Sequence, residues 1–245
     1  MRAVQKTMRL QGRIALITGA SRGLGAAAAL AYAGEGAHVV LVARTVGGLE
    51  ALDDRIKQAG GNATLVPLDV NDGPGIDRLG AALHERFGKL DVLLGNAALL
   101  GVLSPLGHIE PKTFEEVMAV NVTANWRLIR SLDPLLQASD AGRAIFVTSG
   151  VSRRVVPYWG AYAASKAALD MLVAIYAAEC AHTRVRVNLY NPGPMRTGMR
   201  AQAFPGEAPE SLVAPEAHGE GLIQLALPSC TMNGEWVAGD GALPS

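Results

Sequence analysis

Ile14-Ala15-Leu16-Ile17-Thr18-Gly19-Ala20-Ser21-Arg22-Gly23-Leu24-Gly25, followed by the alanine-rich stretch from Ala26 to Ala33, reads as a strand, a glycine turn and a helix. Glycines at such a turn let the backbone approach a pyrophosphate closely. The free N–H groups and the positive dipole end of the helix then hold the anion. The glycines fall at 19, 23 and 25, a Gly-x-x-x-Gly-x-Gly spacing rather than the commoner Gly-x-Gly-x-x-Gly. Taken alone, the turn reads equally well as a plain strand-to-helix connection.

Outward from this turn, short β-branched or leucine-rich runs alternate with longer helical patterns, the signature of a parallel sheet covered on both faces. Strands are expected near Ile14 to Thr18, Ala37 to Val42, Thr64 to Leu68, Val92 to Leu94, Arg143 to Thr148, Arg184 to Leu189 and Glu235 to Val237. With helices in the gaps, no internal repeat and no change of composition, the 245 residues predict one doubly wound α/β domain. Its ligand belongs at the carboxyl ends of the strands. A hydrophobic content of 49% is ample for the core.

Lysine plus arginine and aspartate plus glutamate both number 22, so no net field draws nucleic acid or an anionic membrane. Cys180 and Cys230 stand apart and outside any Cys/His cluster, which argues against a metal site and against a disulfide framework, and fits a reducing cytoplasm. Met1 to Gln11 lacks the apolar core of a secretion signal and is expected to be a flexible arm. The longest apolar run, Ala167 to Ala178, is interrupted by Asp170, so a soluble protein is expected.

Tyr162-Ala163-Ala164-Ser165-Lys166 sets a phenol and an ammonium four residues apart, on one face if the segment is helical. A nearby positive charge favours the phenolate and moves tyrosine towards the working range of a proton-transfer catalyst. As an isolated motif, the pair is more often a helix-surface contact.

The glycine turn and the Tyr-x-x-x-Lys element, in this order, resemble the short-chain dehydrogenase/reductase family over nearly the whole chain. Gly95-Asn96-Ala97-Ala98 is similar to the family's Asn-Asn-Ala-Gly element, Asn121 to its asparagine, Ser149 to its serine, and Pro192 to Thr197 to its Pro-Gly-x-x-x-Thr element. The run from Arg184 to Met199 looks like that of small bacterial oxidoreductases of undefined substrate. The resemblance implies a Rossmann fold and a catalytic set of Asn121, Ser149, Tyr162 and Lys166. Nicotinamide contacts are implied at Gly19, Ser21, Arg22, Gly23, Leu24, Gly25, Arg44, Asp69, Val70, Asn96, Tyr162, Lys166, Pro192, Gly193 and Thr197.

Beyond the second strand the sequence reads Val42-Ala43-Arg44-Thr45, with no carboxylate for a ribose 2'-hydroxyl. Arg44 and Arg22 offer guanidinium forks for a 2'-phosphate, so NADP(H) is expected. By resemblance Asp69 holds the adenine; read alone, it would equally cap a helix from Pro74. Within the family's mechanism, Tyr162 exchanges a proton with a carbonyl or alcohol, Ser149 hydrogen-bonds the same oxygen, Lys166 lowers the tyrosine pKa, and Asn121 places a water that relays protons to Lys166. Ser149 and Asn121 read alone would serve as a strand-end cap and a backbone partner.

Departures from the family pattern are Gly95 for the first asparagine and Ala98 for glycine; an added methyl at 98 would disturb cofactor binding if a glycine conformation were required there. The resemblance implies that Val151 to Trp159 faces a small-molecule substrate, with Arg153 and Arg154 facing either a substrate anion or solvent. Residues 195–214 are expected to form a lid. The helix after Tyr162 is apolar on several faces, which suggests a homodimer or homotetramer. Rival readings are a non-catalytic NADP(H) sensor and an epimerase or dehydratase on the same scaffold.

Overall fold

The computed structural model describes residues 8–239. Seven parallel strands, β1 (Ile14–Thr18), β2 (His38–Ala43), β3 (Asn62–Pro67), β4 (Val92–Gly95), β5 (Arg143–Val147), β6 (Arg186–Asn191) and β7 (Trp236–Ala238), form one sheet in the order β3-β2-β1-β4-β5-β6-β7. Each expected strand is present, with bounds shifted by at most two residues. The order reverses between β1 and β4, and the cleft opens there, beyond the carboxyl ends of the strands.

The helices are α1 (Gly23–Gly34), α2 (Val46–Gln58), α3 (Gly73–Phe87), α4 (Pro111–Met118), α5 (Ala124–Gln137), α6 (Gly160–Glu179), α7 (Gly198–Ala203) and α8 (Gly219–Ala226). Alternate strand residues feed two cores. Ala15, Ile17, Val39, Leu41 and Ile145 pack with α1, α2 and α8, while Leu16, Val40, Leu93, Phe146 and Val187 pack with α3, α5 and α6. Strands buried on both faces need continuous apolar runs, which is why β1, β4 and β5 show no polar alternation. Each aliphatic side chain so buried contributes ~1.5–3 kcal/mol.

Helix ends follow local chemistry. Asp72, not Asp69, caps α3, its carboxylate accepting from Gly75 N–H at 2.9 Å, and Gly88 closes the helix in the left-handed region at φ 69°. Asp69 misses this role because it lies a turn too early; its carboxylate accepts from the Asn71 N–H instead.

Residues 1–7 of the expected arm lie outside the described residues, but its remainder is anchored. Leu10 is fully buried and donates its N–H to Glu35 O at 2.8 Å, while Arg9 bridges Glu35 and Glu220. Among the described residues α6 alone has the length and apolarity to cross a bilayer, at a mean hydropathy of 1.2. Here its Leu169, Val173 and Tyr176 pack in the core on the sheet.

Candidate active site

A cleft of about 1290 Å³ runs along the carboxyl ends of the strands, from the turn after β1 to the start of α6. The glycine turn is built for close approach to a ligand backbone. Gly19 and Gly23 have φ of +64° and +56°, which favour glycine, and a Cβ on Gly25 would meet the Gly19 carbonyl and lie 2.7 Å from Asn96 Nδ2. The N-terminus of α1 therefore opens onto the cleft with Ser21, Arg22 and Leu24 on its rim.

Asn96 ties this turn to β4. Its Nδ2 donates to the carbonyls of Thr18 and Gly19 at 2.8 and 3.3 Å, while Thr18 Oγ1 accepts from the N–H groups of Asn96 and Ala97 at 3.0 and 3.1 Å. Thr18 was missed from sequence; its signal is a polar residue in the last position of an otherwise apolar strand. Glycine at 95 has a packing cause, since a Cβ there would lie 2.5 Å from Phe146 Cδ1 and 2.6 Å from Asn125 Oδ1. Ala98 lies outside the left-handed region, so its methyl group adds no backbone strain.

At the far end, Arg44 Nη1 lies 3.7 Å from Asp69 Oδ2, and both side chains border the cleft with Arg22 and Val70. Pro192 and Gly193 line the opposite wall after β6. Thr197 caps α7, accepting from the Arg200 N–H at 3.3 Å, and its methyl lies next to Gly23. With its glycine-built turn, open helix N-terminus and the guanidinium groups of Arg22 and Arg44 on its rim, the cleft fits a phosphate-bearing dinucleotide.

Tyr162 and Lys166 occupy the first turns of α6, both buried, with Ser149 at the end of β5. Burial pushes the Tyr162 phenol up to about 12, against a smaller opposing effect of the neighbouring Ser149 hydroxyl. Burial likewise pushes the Lys166 ammonium down to about 8, opposed by the Asp170 carboxylate. The expected lowering of the tyrosine by its lysine is not found; desolvation sets the direction instead. The ammonium donates to the Val147 carbonyl at 2.7 Å and lies 5.8 Å from the phenol ring centroid.

Asn121 sits in a π-helical turn, Ala119–Thr123, that joins α4 to α5. Its Oδ1 accepts from Leu99 N–H at 2.8 Å, and its Nδ2 donates to Leu99 O and Ser165 Oγ, each at 2.9 Å. That side chain therefore fixes the loop after β4 against α6; the expected water-placing role finds it already engaged with protein groups. The π-turn widens the helix at this point, as such bulges do at functional sites.

Beside Tyr162 the walls are apolar. Leu100, Val151 and Tyr162 form a small cluster with Val156, Trp159 and Met199, and Trp159 lies 5.9 Å from the rings of both Tyr162 and Phe204. The segment 195–214 folds over this wall as α7 and a short 3-10 turn, Pro209–Ser211, closed by a Met195–Val213 bridge and an Arg200–Glu207 pair at 2.6 Å. Arg154 borders the cleft, whereas Arg153 stacks over the Trp236 ring at 4.7 Å.

A doubly wound parallel sheet with a glycine-built anion turn at one end of its cleft and a buried tyrosine and lysine beside a serine at the other defines a dinucleotide-dependent oxidoreductase class. Residues 13–208 match the family model of the short chain dehydrogenases, and the chain belongs to that family. It is 40% identical over 209 residues to the uncharacterized oxidoreductase YciK of Escherichia coli, covering 84% of this chain and 82% of that one. It is 35% identical over 196 residues to versicolorin reductase of Emericella nidulans, covering 78% and 72%. A short chain dehydrogenase structure from Shigella flexneri, complexed with NADP, superposes with a TM-score of 0.92 at 36% identity, covering 96% of this chain and 100% of that one.

Proposed function

We propose that this enzyme is an NADP(H)-dependent oxidoreductase that interconverts an apolar carbonyl compound and its alcohol, with Tyr162 as general acid and base. The observation that carries the reading is the buried phenol of Tyr162. Protonated near neutral pH and lining the inner end of an apolar cleft together with Ser149, it is placed to give its proton to a substrate oxygen. NADPH, when bound, supplies the hydride. Ser149 donates to the carbonyl oxygen as negative charge develops there, and Tyr162 gives that oxygen its proton, so both groups stabilise the same atom. Lys166 holds positive charge behind the tyrosine and Asn121 fixes the Leu99 backbone at the site.

Preference for NADP(H) over NAD(H) rests on Arg22 and Arg44 and on the lack of a carboxylate at the end of β2. The NADP complex of the Shigella relative agrees with it. Trp159, Phe204, Val156 and Met199 suit a flat or ring-bearing substrate better than a polyhydroxylated one. The buried free thiols of Cys180 and Cys230 fit a reducing cytoplasm. Exposed Met171 and Ile175 on α6 and Trp126 on α5 form the face of a homo-oligomer.

The test is consumption of NADPH, with NADH alongside, against aldehydes, ketones, quinones and keto acids. Turnover of ring-bearing carbonyls with NADPH in preference to NADH is expected. Tight NADPH binding with no turnover across the panel would favour a non-catalytic sensor.

A further inference from the structure

Asp170 lies one helical turn beyond Lys166 on α6, with its side chain largely buried. Its two carboxylate oxygens take different partners. Oδ1 accepts from the Thr148 hydroxyl and Oδ2 from the Ser152 hydroxyl at 2.6 Å. Thr148 and Ser152 flank Ser149, so one side chain grips both ends of the turn that presents the serine hydroxyl. The same turn is closed on itself by Ser152 N–H to Ser149 O at 3.0 Å and Arg153 N–H to Gly150 O at 3.3 Å.

We propose that Asp170 is a positioning residue with two tasks: it clamps the Ser149 turn to the tyrosine helix, and it supplies a counter-charge that favours the ammonium form of Lys166. This deepens the proposed function and rests on it. A clamp between β5 and α6 fixes the separation of the two groups that must meet one substrate oxygen, and small errors in such a separation are costly to catalysis. Among the described residues, the ionisable groups around Lys166 are few. Tyr162 and Asp170 face it from its own helix and β5 contributes the Val147 carbonyl; the Ser149 turn brings Arg153 and Arg154, and α4, also packed on α6, carries Lys112, Glu115 and Glu116, but the charge that acts on Lys166 is that of Asp170. The sheet under α6 presents apolar Val187 and Leu189 from β6. Arg153 approaches Asp170 to 4.0 Å but remains half exposed and stacked on Trp236 from β7, so it offsets only part of the carboxylate's charge. The Asp170 carboxylate, one helical turn along, favours the charged form of this buried ammonium and opposes its desolvation.

The chain has five lysines, Lys6, Lys57, Lys89, Lys112 and Lys166, so each lysine ε-carbon can be followed by NMR in a pH titration of the whole protein, with Lys166→Arg to assign the signal. In Asp170→Asn, which keeps an acceptor for the hydroxyls but removes the charge, the Lys166 midpoint is expected to fall by about half a pH unit or more. In Thr148→Val with Ser152→Ala, which keeps the charge but removes the clamp, the midpoint is expected to stay in place. Amide hydrogens of residues 149–153 should then exchange about tenfold faster. An unchanged Lys166 midpoint in Asp170→Asn overturns the electrostatic task, and unchanged exchange in the double variant overturns the clamp. Should Asp170→Asn not fold, the double variant still decides the clamp. Both readouts are independent of turnover, so a failure of the reductase reading would show separately, in Tyr162→Phe.

Discussion

Two titrations at single residues set the pH behaviour of the site. Tyr162 stays protonated until about pH 12, so the alkaline limit of carbonyl reduction belongs to Lys166, which loses its charge near pH 8. The reductive kcat/KM should therefore be level below neutrality and decline above about pH 8, as a pH–rate profile would show. A stability consequence has a definite sign. The folded lysine value lies below its unfolded value, so between the two the unfolded chain binds more protons and stability rises with pH. Lys166→Met should accordingly be more stable than wild type near pH 7, by up to ~3 kcal/mol, with the gap closing as pH rises through this window in denaturant unfolding. At the other end of the cleft, Arg44→Ala should raise the Kd for NADPH about tenfold while leaving that for NADH nearly unchanged, because only a 2'-phosphate needs the guanidinium. These residues were legible from sequence by type and order, but their energetics were not. Proximity of Lys166 suggested a lowered tyrosine, and only the burial of both groups shows that desolvation prevails.

Among the elements, strand and turn chemistry was the most readable part of the chain. Ile14 to Gly25 declared a strand, a turn and a helix because glycine at 19 and 23 answers a backbone requirement that sequence alone can express. Side-chain contacts across elements were not readable. Gly95 looked like a departure from the family pattern, yet its cause is the Phe146 ring on the neighbouring strand. Restoring the family residue with Gly95→Asn should destabilise the protein by about 1–3 kcal/mol through overpacking, measurable by chemical denaturation. The cap of α3 was similarly displaced, from Asp69 to Asp72, because a cap is fixed by where the first helical N–H groups point. Asp72→Ala should cost about 1 kcal/mol and lower Tm by ~2–4 °C, with cofactor affinity intact.

At the scale of the whole molecule, one sheet with its reversal between β1 and β4 brings the phosphate turn, the Ser149 turn and the start of α6 to one edge. Segments more than a hundred residues apart in the chain thereby share a single cleft, as the separation of Gly19 from Tyr162 shows. The topology was legible because strands and helices alternate with one period of composition; the anchoring of Leu10 and Arg9 against α1 and α8 was not, since it depends on partners distant in sequence. The exposed apolar side chains of α6 and α5 should be covered in solution by a second copy. Met171→Glu with Ile175→Glu is expected to shift the protein to monomer in sedimentation velocity, and an already monomeric wild type would refute that assembly. The central claim, proton transfer by Tyr162, is tested most directly by comparing wild type with Tyr162→Phe for NADPH affinity and for turnover of a carbonyl compound that the wild type reduces. Unchanged affinity with kcat lowered about a hundredfold or more is the predicted result. Turnover in Tyr162→Phe within a few fold of wild type would contradict the account.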